Sequence, residues 1–335
     1  MPLSSPLVSL DLIRAAAERL RPVVIRTPLV PVGPPVGANP LFVKCENLQR
    51  AGAFKIRGAF NMMTQLPEET RRRGVITYSS GNHGQAVALA ASLLKAPAVI
   101  VMPTTAPSIK AEGARRLGAE VIFEGTTSTD RRARAEREAA ARGLTIVPPF
   151  DHQWIIAGQG TIGLEILQDR PDVTTVFVQI GGGGLISGVS AALKQSRADV
   201  NVIGVEPSGA AKMKAALDAG QLVTLEKTHS VADGLLPVRA GDLTFAHARA
   251  FVDEVWTIDD AQIIKAVRWL FKEAKLVVEP SGAITVAAAR RYQTEHPQTR
   301  NVVAVLSGGN VAPEAFAEYI TRADPRSASG VPTRH

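Results

Sequence analysis

In RAGAFKIRGAFN, residues 50–61, one lysine, Lys55, stands in a run of small and apolar residues between Gly52 and Gly58. A solvated charge near a helix start is one reading of it. The other is a nucleophilic amine beside a reactive carbonyl. In QIGGGGLISG, four consecutive glycines, Gly181, Gly182, Gly183 and Gly184, precede Leu185. Without side chains in the way, main-chain N–H groups can converge there on an anion at a helix N-terminus, which makes a phosphate cradle. The run does not open the first βαβ unit of the chain, so it is not a dinucleotide fingerprint, and it lacks the Lys-Ser/Thr ending of a nucleotide P-loop. In SSGNHGQ, residues 79–85, the hydroxyls of Ser79 and Ser80, the amide of Asn82 and the ring of His83 suit a carboxylate. Ser79 and Ser80 serve equally well as helix N-caps, and His83 as a surface histidine. VLSGGN, residues 305–310, ends a strand on Ser307 before two glycines, a weaker signal because a serine there can simply begin a turn.

The elements that must position these groups alternate regularly. From residue 74, GVITYSS, PAVIVMP and EVIFEG read as strands, separated by helices through GNHGQAVALAASLLKA and PSIKAEGARRLGA. DRRARAEREAAARG reads as a further helix, before the apolar LTIVPPF. After the loop VPPFDHQW the pattern restarts: a helix through GTIGLEILQD, a strand TTVFVQI, the glycine loop, a helix ISGVSAALKQS and a strand NVIGVEP. EVWTI then reads as a strand, DDAQIIKAVRWLFKEAKL and GAITVAAARRYQ as helices, and NVVAVL as the strand entering LSGGN. Alternation of this kind builds parallel sheets and places all three loops at strand ends. The fold class is α/β, and 335 residues suit about two domains. The tail, residues 323–335, lacks apolar periodicity and reads as mobile.

Composition removes several function classes. No uncharged apolar run of about 18 residues occurs, and Asp11 interrupts the N-terminus too early for a secretory signal, so no membrane role and a cytoplasmic location are expected. The excess behind the net charge of +7 is mostly arginine spread over separate segments, notably RRRG and DRRARAER, without interleaved aromatics, which describes solvated helix faces and no nucleic-acid stripe. The single cysteine, Cys45, excludes a disulfide framework and cysteine-rich zinc sites, and in LFVKCEN it reads as a buried strand residue.

Taken together, a phosphate cradle, a lysine, a carboxylate loop and a hydroxyl at a strand end fit pyridoxal phosphate. KCENLQRAGAFKIRGAFN, SSGNHGQA, IAGQGTIGLEIL and GGGGLISG, followed in order by VADGL, VVEPSGA and LSGGN, resemble the fold-type II pyridoxal-phosphate enzymes of the serine/threonine dehydratase and serine racemase family, over about residues 10–320.

The resemblance implies a tryptophan synthase β-like architecture, with residues 1–54 and 149–322 as a large cofactor domain and 55–148 as a small one. It implies that Lys55 carries the cofactor as a Schiff base and that Phe54 packs on the ring. Asn82 would meet the ring hydroxyl, Gly181 to Leu185 the phosphate, and Ser307 the ring nitrogen. Ser79, Ser80, Asn82 and His83 would surround the substrate carboxylate, with Gly234 and Glu279 near the cofactor. A homodimer is implied in the same way. Two departures stand out. Ala53 occupies a position where the family often has serine. In EPSGAAK, Glu206 and Ala210 are followed by Lys212, where metal-activated relatives carry an acidic ligand. The ammonium of Lys212 would then take the cation's place beside Glu206, unless it is merely solvated on a helix.

The implied reaction is β-elimination of L-threonine or L-serine to 2-oxobutanoate or pyruvate plus ammonia. Ser80 leaves racemisation open, since a serine in that position is the second acid/base of the racemase branch. A dehydratase of a bulkier β-hydroxy amino acid and a regulatory module binding a phosphorylated metabolite are the other readings. With no segment after about residue 322 for a regulatory domain, a catabolic or broad-specificity role is expected.

Overall fold

The computed structural model describes residues 7–33, 39–79, 81–106 and 108–321. The chain opens with α1 (Leu10–Leu20), β1 (Leu29–Val32), β2 (Leu41–Cys45), α2 (Lys55–Thr64) and α3 (Glu68–Arg73). Next come β3 (Val75–Thr77), α4 (Asn82–Leu94), β4 (Ala98–Met102), α5 (Ser108–Arg116), β5 (Glu120–Phe123), α6 (Ser128–Arg142) and β6 (Thr145–Ile146). The second half holds α7 (Gln153–Asp169), β7 (Thr175–Gln179), α8 (Gly184–Ser196), β8 (Asn201–Pro207), α9 (Lys212–Asp218), α10 (Asp242–Phe251) and β9 (Glu254–Ile258). It closes with α11 (Asp260–Trp269), α12 (Pro280–Glu295), β10 (Val302–Leu306) and α13 (Pro313–Thr321).

Two sheets result. One has six strands in the order β1-β2-β10-β7-β8-β9, and the other has four in the order β5-β4-β3-β6. Every pairing is parallel except β1 with β2, which places an antiparallel strand on one edge of the larger sheet. β2, β7 and β10 are buried along their whole length, as central parallel strands covered on both faces must be. Separate apolar cores follow. Phe177, Ile203 and Ile284 pack in one layer of the larger sheet and Ile162, Val189 and Val303 in another. Val75, Ala86 and Ile100 belong to the core of the smaller sheet. α2 packs against both α4 and α7, so the helix that begins at Lys55 lies between the two layers.

The arginine-rich α6 shows how the polar helices form. Thr127 and Asp130 make a reciprocal capping box, Gly143 ends the helix in the left-handed region, and Arg132–Glu136 at 2.8 Å lies along its exposed face. One expected helix is shorter than its pattern. Residues 259–276 do not run through: α11 widens into a π turn over Leu270–Ala274, and the N–H of Leu276 reaches back to the Leu270 carbonyl at 3.2 Å. Lys275 takes φ 57° there, a left-handed cap that turns the chain toward Glu279. Among the described residues no helix is long and apolar enough to cross a membrane. Ser80 and the tail, residues 323–335, lie outside the described residues.

Candidate active site

The approach to Lys55 is stitched onto the end of β10. The N–H of Phe54 donates to the Ser307 carbonyl at 3.0 Å, and Ala53 pairs antiparallel with Gly308. Ala51 and Gly52 both take left-handed φ, which turns the chain sharply into α2. Lys55 is the first residue of that helix. Its Nζ donates to the Pro149 carbonyl at 2.7 Å and lies 5.1 Å from the centre of the Phe54 ring. Burial lowers the lysine pKa to about 8, far below that of a surface amine.

Behind this lysine lies a buried charge network that the sequence did not announce. The guanidinium of Arg57 grips Glu46 through two 2.8 Å bonds and reaches Glu165 at 2.7 Å and Thr161 at 3.1 Å. Lys44 completes the set, 2.6 Å from Glu165 and 2.6 Å from the Thr27 carbonyl. Two cations balance two carboxylates with the hydrogen-bonding groups filled, the condition under which buried charges are tolerated. The network joins α2, the end of β2 and α7, and it fixes the first turn of the helix that carries Lys55.

The glycine loop follows β7 and opens α8. Gly183 has φ 101°, closed to an ordinary side chain, and a Cβ on Gly182 would enter the Phe150 ring. Loop carbonyls are used structurally: Gly182 accepts from the Thr244 hydroxyl at 2.7 Å and from the Gly241 N–H at 3.3 Å. The N–H groups are not. Among the described residues, no N–H from Gly181 to Ile186 donates to another group of the protein, although Gly182 to Ile186 are buried. Buried N–H groups are almost always paired, so this row at the amino end of a helix is suited to an anion.

SSGNHGQ divides into parts with different partners. The Ser79 hydroxyl accepts from the Gly81 N–H at 3.3 Å. Asn82, the first residue of α4, donates from Nδ2 to Oε1 of Glu279 at 2.7 Å and accepts from Nδ2 of Asn310 at 2.9 Å. His83 is not a surface histidine: its ring is buried, with Nε2 3.0 Å from the Val147 carbonyl. Burial, with Lys55 and against the bond to Val147, lowers its pKa to about 3, so the imidazole is neutral. Gly234 adjoins the glycine loop and donates its N–H to Ser281 Oγ at 2.9 Å.

Lys212 is fully buried and not solvated. Its Nζ donates to the carbonyls of Ile180 at 3.0 Å, Ala210 at 3.1 Å and Leu235 at 3.0 Å, and lies 3.1 Å from Glu206 Oε1. Three carbonyl acceptors require three N–H donors, so this is an ammonium. Glu206 also takes the N–H groups of Met213 and Lys214 at the start of α9, at 3.0 and 2.9 Å. Ile180 and Leu235 flank Gly181 and Gly234, so one ammonium ties together two walls of the site. Among the described residues no group of three or more His, Cys, Asp or Glu side chains gathers as a metal site.

Sequence reasoning missed Asp151, whose carboxylate caps α10 through the N–H groups of Asp242, Leu243 and Thr244 at 3.0 to 3.1 Å. It also missed the Pro149 carbonyl and Asn310. Asn310 closes the LSGGN stretch, but nothing in a sequence marks a main-chain carbonyl.

Fold and site define a parallel-sheet enzyme that holds a phosphorylated carbonyl cofactor at its strand ends. The chain belongs to the family described as pyridoxal-phosphate dependent enzyme, which matches residues 20–308. It is 43% identical to an L-threonine ammonia-lyase of Thermotoga maritima, over 91% of this chain and 76% of that one. It is 38% identical to an L-threo-3-hydroxyaspartate ammonia-lyase of a Pseudomonas species, over 92% of this chain and 97% of that one. The structure of maize serine racemase superposes with a TM-score of 0.87 at 37% identity, covering 93% of this chain and 97% of that chain. The site residues fit the family's cofactor. The row of unpaired N–H groups suits its phosphate, and the lysine of lowered pKa suits its aldehyde.

Proposed function

We propose that the protein is a threonine/serine dehydratase, which removes the β-hydroxyl of L-threonine or L-serine and yields 2-oxobutanoate or pyruvate plus ammonia. The observation that carries this is Lys55: an amine with a pKa of about 8, anchored at the end of the strand that presents Ser307. When bound, pyridoxal phosphate supplies an aldehyde for covalent attachment and an electron sink for charge at the substrate Cα.

The chain's own groups divide the remaining work. The N–H groups from Gly181 to Leu185 would hold the phosphate, and Phe54 would support the ring. Lys55 would hold the aldehyde, and its Nζ is the base that would take the Cα proton. The Ser307 hydroxyl, a neutral partner, would face the ring nitrogen and leave it largely unprotonated, which favours elimination over transamination. Asn82 orients the ring hydroxyl, and Ser79 with the amino end of α4 holds the substrate carboxylate. His83, being neutral and bonded to Val147, braces that loop from beneath. Ser80 is the candidate second acid/base. Lys212 does the work of a bound cation, so activity needs no added magnesium.

Racemisation is the second reading, supported by the likeness to maize serine racemase. A panel of β-hydroxy amino acids, hydroxyaspartate included, scored for keto acid, ammonia and inverted amino acid, separates the two. Keto acid with negligible D-serine is expected from L-serine; abundant D-serine would replace the dehydratase assignment. We also infer a cytoplasmic homodimer, divided into domains at residues 54/55 and 148/149. The buried Cys45 thiol, with its pKa pushed up to about 12, suits a reducing compartment.

A further inference from the structure

Glu279 is the N-cap residue of α12, yet its side chain does not cap that helix. It turns into the cleft, almost wholly buried, and Oε1 accepts from Asn82 Nδ2 at 2.7 Å. A Cβ on Gly308 would sit 2.5 Å from that oxygen and 3.1 Å from the Asn82 amide, so acid, amide and strand end share one spot. Among the described residues no cationic side chain comes within ion-pair distance of it. A carboxylate buried without a cation is strongly disfavoured. Of the charged groups that face it, Asp233, in the turn Asp233–Leu235, adds to the burial, while Lys110 on α5 opposes it. The Asn82 amide and the Asn310 main chain also favour the anion. Burial prevails, followed by Asp233, and the pKa is pushed up to about 8.

We propose that Glu279 is a positioning residue kept as a neutral carboxylic acid, so that it accepts from Asn82 with one oxygen and presents an O–H donor toward the cofactor site with the other. It would act by orienting Asn82 and the bound cofactor, and its ionisation would set an alkaline limit on cofactor retention. The inference rests on the cofactor site and not on which amino acid is turned over.

The test uses the holoenzyme and its Glu279→Gln variant, in which the amide reproduces the shape and donor of the neutral acid. In the infrared, the wild type should show a carboxylic-acid carbonyl band that disappears above a pH of about 8 and is absent from the variant. Carboxyls with ordinary pKa values ionise well below neutral pH, so the wild-type pH-difference spectrum carries the result even if the variant folds poorly. Retention of pyridoxal phosphate should match within about twofold at neutral pH, and only the wild type should lose about fivefold in the alkaline range. A wild type without the band at neutral pH would overturn the proposal. So would a Gln variant that shares the alkaline loss or binds the cofactor tenfold more weakly at neutral pH.

Discussion

Nζ of Lys212 stands 3.1 Å from Oε1 of Glu206, with both side chains fully buried. Lys212→Met removes the cation and leaves the carboxylate with only the N–H groups of Met213 and Lys214. We expect a loss of about 3 kcal/mol in urea unfolding, partly recovered by adding Glu206→Gln. Wild-type turnover should be unchanged by a chelator. Strong magnesium stimulation would contradict an ammonium in that role.

Lys55→Ala should abolish turnover together with the visible absorbance of the lysine-bound cofactor. In the wild type, a lowered pKa means the amine loses its proton as pH rises through about 8, so the unloaded protein should take up pyridoxal phosphate faster with rising pH and level off above that value. Stopped-flow absorbance reads this directly. A rate still climbing near the pKa of an ordinary lysine would refute the depressed value.

Gly182→Ala should weaken cofactor binding and cost about 1–3 kcal/mol, because the new methyl drives into the Phe150 ring. Combining it with Phe150→Leu should restore part of both losses. Fluorescence titration with pyridoxal phosphate and thermal unfolding check the pair.

Arg57→Ala should cost about 3–5 kcal/mol, since it leaves two carboxylates without their shared guanidinium. Arg57→Lys should recover only a part, because a point charge cannot make the two bonds to Glu46. Denaturant midpoints of the three proteins decide it.

The strands and most helices were legible because apolar runs, glycine loops and polar helices alternate from residue 74 onward. The positions of the glycine loop, Asn82 and Ser307 at strand or helix ends follow from the same pattern, whereas Lys55 lies before it and was singled out by its small, apolar neighbours. What it could not show was pairing at a distance: Arg57 with Glu46 and Glu165, Asn82 with Glu279 and Asn310, Lys212 with three carbonyls. Residue type suggests such contacts only once the fold fixes who faces whom. α10 was missed because its cap, Asp151, lies 91 residues before Asp242. The widened turn after α11 was missed because its side chains keep a helical rhythm while the backbone changes its step.

Phe150 fills the volume that any side chain at position 182 would need, and its main chain crowds position 184 as well. The two sites therefore behave as one heritable unit: a lineage can gain a side chain in the loop only after the ring has shrunk or moved. A drifting family would retain the bare loop for as long as it keeps the aromatic wall, whatever changes befall the substrate it selects.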